Sequence, residues 1–204
     1  MAGLRSLLRL PAVGANSFRK RFDRILESFA LFSRTVEGAF LLLKTDRLIS
    51  REGVDLDSMA EKLGIGSCVR FMTEELSEAK LRDLYGSMDV LLNLSEWEGF
   101  CLPAVEAMAC GVPVITHPVQ GTSESVPYPE LLVAGSEPYI EGGTVLLQAQ
   151  PEEAARVLQR AVDRPSLLAR LSAQGRAEVQ RSFDIRRVAE RWGQLIDSDL
   201  AGEG

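Results

Sequence analysis

The chain has 204 residues, 46% of them hydrophobic and 25% charged, a mix that suits a globular domain with one substantial core. Its net charge of −6 argues against a nucleic-acid footprint, which needs a clustered basic face, but leaves room for a local basic pocket. A single histidine (His117) and three cysteines without CxxC spacing (Cys68, Cys101, Cys110) put a His/Cys metal cluster out of reach and point to reduced thiols and a cytoplasmic location.

Residues 1–11 read as an N-terminal tail or linker remnant. Arg5 and Arg9 interrupt the apolar start "MAGLRSLLRLP" and no small-residue cleavage site follows, so no leader is expected. No run of roughly eighteen apolar residues predicts a membrane span. "PAVGA" (11–15) predicts a strand that ends in a Gly-Ala-Asn-Ser turn. Phe22, Ile25, Leu26, Phe29 and Phe32 then recur at three- and four-residue steps, the stripe of an amphipathic helix over 21–34. Strands are predicted at 39–44 and 68–72, separated by a helix over 55–64 that stops at Gly64. A helix follows at 77–88 with Ser77 as its N-cap. Then come a buried strand at 89–94, a helix over 102–111 with Pro103 in its first turn, and a strand at 112–116. A long irregular stretch, 118–143, leads to a last strand at 143–148 and helices at about 151–163, 165–181 and 184–198.

Strands and helices in alternation, with continuous apolar strands, predict an α/β fold: a Rossmann-like parallel sheet covered by helices on both faces, with extra C-terminal helices. The expected organisation is one domain over 12–183, followed by a C-terminal helix and tail at 184–204. In such a sheet, ligands lie beyond the carboxyl ends of the strands.

That rule directs attention to "EWEGFCLPAVEAMACGVPV" (96–114). Glu98 opens the loop after the 89–94 strand and Glu106 lies about one turn into the following helix. The N–H groups of Phe100, Cys101 and Leu102 are orphan donors at a helix start, suited to phosphate. An ionised carboxylate accepts two hydrogen bonds at once, matching the two donors of a vicinal diol. Carboxylates for sugar hydroxyls beside amides for a diphosphate would cradle a nucleotide-sugar. The cations such a ligand needs stand in "SFRKRFD" (17–23): Arg19, Lys20 and Arg21.

With "RKRFDRILESFALF", "LYGSMDVLLNLS" and "QGTSE" added, the chain resembles the C-terminal, donor-binding domain of GT-B glycosyltransferases of the group 1, retaining type, from about residue 12 to 197. The resemblance implies a glycosyltransferase that binds a UDP- or GDP-sugar and transfers a hexose without a metal or other cofactor. It assigns Glu106 to the ribose hydroxyls, Glu98 to the donor sugar, and the amides of Phe100, Cys101 and Leu102 to the diphosphate or sugar. Lys20, with Arg19, would neutralise the leaving diphosphate. Lys20 and Glu98 are thus the expected catalytic residues. The nucleobase is placed near residues 72–74. The sequence departs from the family pattern at Ala15, where an arginine is usual, at Cys101, where glycine is common, and at Gln120-Gly121, in place of a Gly-Gly pair. The acceptor half that precedes this domain in the family is missing, so a further domain or partner subunit is expected, and this chain alone is expected to be inactive. Partners in nucleic acid or membrane spans are not expected. A nucleotide-sugar-binding module without activity is the alternative, with a sugar-nucleotide epimerase behind it.

The remaining motifs read as structure. His117 is expected in a loop at a strand end, "GIGSC" (64–68) as a turn, and the aspartates of "DLD" and "DSD" as surface charge. Cys101 and Cys110 are expected to be inert thiols rather than nucleophiles, with a lowered pKa left open for Cys101 because it stands at a helix start. Phe183, Ile185, Val188, Trp192, Leu195 and Ile196 give the last helix an apolar stripe that reads as ordinary core packing, whereas the family resemblance implies that part of this helix crosses to the missing domain and leaves an apolar patch exposed here.

Overall fold

Three apolar runs pair in parallel: Arg9–Val13 (β1), Phe40–Lys44 (β2) and Val69–Met72 (β3), with Leu10 opposite Leu41 and Leu43 opposite Phe71. The structure, a computed structural model, describes residues 8–119, 121–134, 137–141 and 143–202. A second parallel ladder joins Leu91–Asn93 (β4) to Val114–Thr116 (β5). β4 lies against β1, and the Asp89 amide donates to the Arg9 carbonyl at 2.9 Å, so the strand order across the molecule is β3-β2-β1-β4-β5. A bridge from Thr116 to Leu132 extends the far edge. The chain reverses direction across the sheet between β1 and β4, which creates a crevice at their carboxyl ends.

Helices cover the sheet as the periodicity predicts. Phe22–Ser33 (α1) buries all five residues of its predicted stripe. Leu56–Lys62 (α2) is capped by Asp55, whose side chain accepts from the Ser58 amide, and Glu78–Gly86 (α3) by Ser77 in the same way. Leu102–Ala109 (α4) follows β4, with Pro103 in its first turn, and Thr122–Ser125 (α5) is one short turn after β5. Pro151–Asp163 (α6) packs on α1, and Pro165–Ser182 (α7) packs on α4. Ile185–Gly202 (α8) closes the described chain.

Three expectations are corrected. The first strand begins at Arg9, inside the stretch read as a tail, and ends at Val13, which leaves Gly14 and Ala15 in the turn. The 118–143 stretch is not wholly irregular, because it contains α5 and a whole strand, Glu137–Glu141 (β6). The last strand, Thr144–Gln148 (β7), pairs antiparallel with β6 in a separate hairpin and does not join the parallel sheet. One side of that hairpin meets solvent, with Ile140 76% and Leu147 37% exposed, so its apolar residues never needed two covered faces. Gln120 lies outside the described residues.

Candidate functional site

The crevice between β1 and β4 is built from two loops. After β1 the Gly14 amide donates to the Lys44 carbonyl at 3.0 Å. Asn16, buried, ties the turn to the segment after β2: its Nδ2 donates to the carbonyls of Leu48 (3.1 Å) and Val54 (2.7 Å), and its Oδ1 accepts from the Val54 amide. A single 3-10 turn, Phe18–Lys20, leads to Arg21, the N-cap of α1, in the left-handed region at φ 49°, ψ 48°. The turn sends Lys20 inward. Its stem crosses Gly14, where a Cβ would stand 3.0 Å from the lysine Cε, so glycine leaves that path open.

From the other side, β4 ends at Asn93 and the chain runs through Ser95, Glu96 and Trp97 to Glu98. Lys20 and Glu98 are both buried, 6% and 7% exposed, and pair at 2.5 Å between Nζ and Oε1. Arg19 takes the other carboxylate oxygen, Nη1 to Oε2 at 2.5 Å, donates to the Trp97 carbonyl at 3.3 Å, and lies over the Trp97 ring 5.1 Å from its centroid. Burial pushes the Glu98 carboxyl up, but Lys20, then Ser95 and Arg19, outweigh it and hold the group below the usual carboxylate range. The structure therefore brings Arg19, Lys20 and Glu98 together.

Next along the loop, Phe100 and Leu102 are exposed and Cys101 is buried. Cys101 is the N-cap of α4 in the left-handed region, φ 67°, ψ 63°, a conformation easiest for glycine. Among the described residues no carbonyl takes the amides of Phe100, Cys101 or Leu102. The Cys101 thiol, read from sequence as inert with a lowered pKa left open, is not lowered: burial, with the charge of Glu98, pushes it up to about 11. Its Sγ accepts from Asn93 Nδ2 at 3.1 Å, inside the domain rather than toward solvent. Gly121, at φ 82°, runs so close beneath this loop that a Cβ would sit 2.7 Å from the Glu98 carbonyl oxygen. Phe100 packs edge-on against Phe183, ring centroids 5.3 Å apart, which links the loop to the α7–α8 junction.

Glu106 is half-buried on α4 and accepts from the hydroxyl of buried Tyr85 at 3.0 Å. Its partner is thus a neutral donor on α3, while Glu98 holds the cations. Burial, reinforced by Glu106, pushes the Tyr85 hydroxyl well above its ordinary pKa, so it remains a proton donor. A cavity of about 480 Å³ opens beside the crevice at the ends of β1, β2 and β3, lined among others by Gly14, Ala15, Lys44, Thr73 and Leu81.

Sequence reasoning missed Glu96, Trp97, Tyr85 and Lys44. The alternation "EWE" could have flagged Glu96, since two acids two residues apart on an extended segment share a side. Lys44 follows three buried leucines at a strand end, which is where the carboxyl-edge rule looks. His117 is fully buried directly after β5, with Nδ1 3.3 Å from the Val133 carbonyl and Nε2 3.1 Å from that of Leu147; it fastens the β6–β7 hairpin to the sheet. Among the described residues no group of three His, Cys, Asp or Glu side chains is placed to hold a metal, and no helix is long and apolar enough to cross a membrane.

Comparison with known proteins bears on this geometry. The family model "Glycosyl transferases group 1" matches residues 8–178. The lipopolysaccharide core biosynthesis mannosyltransferase LpsB of Rhizobium meliloti is 32% identical over 148 residues, covering 71% of this chain and 38% of LpsB. The MMP alpha-(1->4)-mannosyltransferase of Mycolicibacterium hassiacum is 33% identical over 145 residues, 71% of this chain and 33% of the relative. The chain thus spans well under half the length of these curated relatives. Among solved structures, the sucrose-phosphate synthase of Thermosynechococcus elongatus superposes with a TM-score of 0.79 at 26% identity over 97% of this chain and 47% of that one. Anabaena Alr3699/HepE in complex with UDP-glucose gives 0.77 at 18% identity, over 95% and 49%.

Proposed function

The chain belongs to the glycosyl transferases group 1 family, and from that premise we propose that it is the donor-binding part of a retaining, metal-independent hexosyltransferase that takes a UDP- or GDP-sugar. The observation that carries the reading is the convergence of Lys20 and Arg19 on Glu98 across the crevice where the strand order reverses. A diphosphate at this place would meet two cations from the β1 side and the free amides of the α4 start from the β4 side. As the bond to the sugar breaks, negative charge would grow on the diphosphate, and Lys20 and Arg19 would stabilise it. Glu98, at the mouth of the loop, would take hydroxyls of the donor sugar. Glu106, oriented by Tyr85, would take the ribose hydroxyls. The cavity at the ends of β1 to β3 has room for the nucleobase, with Thr73 on its wall.

The acceptor is proposed to bind on a further domain or subunit, a reading supported by the length of the relatives. Calorimetry with UDP, GDP and their hexose conjugates tests the donor assignment. Glu106→Ala should weaken binding of the bare nucleotide, whereas Glu98→Ala should spare the nucleotide and abolish any gain from the sugar. Equal losses for both ligands in both variants would contradict this division.

A further inference from the structure

Among the described residues only two non-glycine positions have positive φ, Arg21 and Cys101. They are the N-caps of α1 and α4, the two helices whose starts flank the crevice. Such conformations persist only where the surroundings over-determine them. At Arg21 the surroundings are carboxylates. Asp23 takes Nε at 2.9 Å and Nη2 at 2.6 Å, and Glu96 takes Nη1.

Glu96 is 5% exposed, and its amide and both carboxylate oxygens are engaged. Its amide donates to the Arg19 carbonyl at 3.0 Å. Its carboxylate accepts from Arg21, from the Tyr139 hydroxyl on β6, and from Gln148 Nε2 on β7 at 3.3 Å. One side chain and its own backbone therefore hold the turn that carries Arg19 and Lys20 at Arg19 and at Arg21 just beyond it, and join it to the β6–β7 hairpin. A buried carboxylate with a charged partner and two further donors is well compensated, and it fixes geometry in a way a solvated acid could not.

We infer that Glu96 is a positioning residue that holds Arg21 in its left-handed turn and so sets Lys20 and Arg19 where a diphosphate must lie. It acts through Arg21 and touches no ligand itself. The inference rests on the donor-binding reading above, and it makes the preference for diphosphate over monophosphate depend on a residue outside the crevice.

The test is calorimetry of the chain with UDP against UMP and GDP against GMP. The wild type should prefer the diphosphate of at least one pair. Glu96→Ala should lower diphosphate affinity about tenfold and leave monophosphate affinity within about twofold, as expected when one charge-assisted contact is misplaced. Lys20→Ala should do the same, and the double variant should lose clearly less than the two single losses together, because residues acting through a shared contact are not additive. Should Glu96→Ala melt below the assay temperature, Glu96→Gln decides: it keeps the volume, loses the ion pair with Arg21, and should still reduce the diphosphate preference several-fold. An unchanged preference in the folded variant, or additive losses in the double variant, would overturn the inference while the donor reading stands. A wild type that binds di- and monophosphates equally, or neither, would overturn both.

Discussion

Lys20 and Glu98 form a buried ion pair, 2.5 Å from Nζ to Oε1, that bridges the carboxyl ends of β1 and β4. The carboxylate occupies the position between the cations that an incoming anion would seek, with Arg19 on its second oxygen. On the donor-binding reading proposed above, ligand binding at this crevice would be an exchange of partners: the cations would turn from Glu98 toward phosphate, and Glu98 would become available to hydroxyls.

The pair predicts an asymmetric cost of substitution. Glu98→Ala strands two cations, one of them buried, and should destabilise the fold by about 3 kcal/mol or more. Lys20→Ala leaves Glu98 with Arg19 and should cost less. The double variant should be clearly more stable than the sum of the singles predicts. Urea unfolding of the four proteins measures this, and strictly additive losses would contradict the pairing.

The same pair predicts acid sensitivity. The Glu98 carboxyl ionises below its ordinary value of 4.5 in the folded chain, so in that range the folded state binds fewer protons than the unfolded state. The stabilisation is present above about pH 4.5 and is lost as pH falls through the lower folded value. Glu98→Gln should flatten the fall in urea midpoint on acidification, and an unaltered acid limb would show that the carboxylate is not held by the cations.

At Cys101 the account predicts chemical silence. A thiol pushed up to about 11 and nearly buried forms little thiolate at about pH 8. Under native conditions an alkylating reagent should modify half-buried Cys68 before Cys101, as followed by peptide mass spectrometry. Equal rates would mean that the loop opens readily.

Tyr85→Phe removes the hydroxyl that orients Glu106. With Glu106 at the ribose as proposed, it should cost about 1.5 kcal/mol of stability and weaken nucleotide binding a few-fold, the effect of losing one hydrogen bond to a carboxylate. Unchanged nucleotide affinity would indicate that Glu106 needs no such support.

Much of this arrangement was legible in the sequence because local rules and the global fold agree. The α1 stripe, the cap at Ser77, and Pro103 at the α4 start all follow from period and hydrogen-bonding valence. The carboxyl-edge rule then brings "FRKR" and Glu98 to one crevice without knowledge of any distance. What stayed hidden depends on tertiary context. Glu96 reads as a solvated charge until Arg21, Tyr139 and Gln148 are seen around it, and those partners come from three separate stretches. β6, "EPYIE", has a proline and two acids, so nothing local marks it as a strand before β7 supplies its ladder. The left-handed caps at Arg21 and Cys101 could not be read from residue types that ordinarily avoid that region.

The most direct measurement is a calorimetric titration of the chain and of its Lys20→Ala variant with UDP and GDP. The account predicts saturable binding of one of them by the wild type, weakened about tenfold by the loss of Lys20 as one charge-assisted contact disappears. Absence of binding to either nucleotide, or equal affinity in the variant, would contradict a diphosphate site at the junction of β1 and β4.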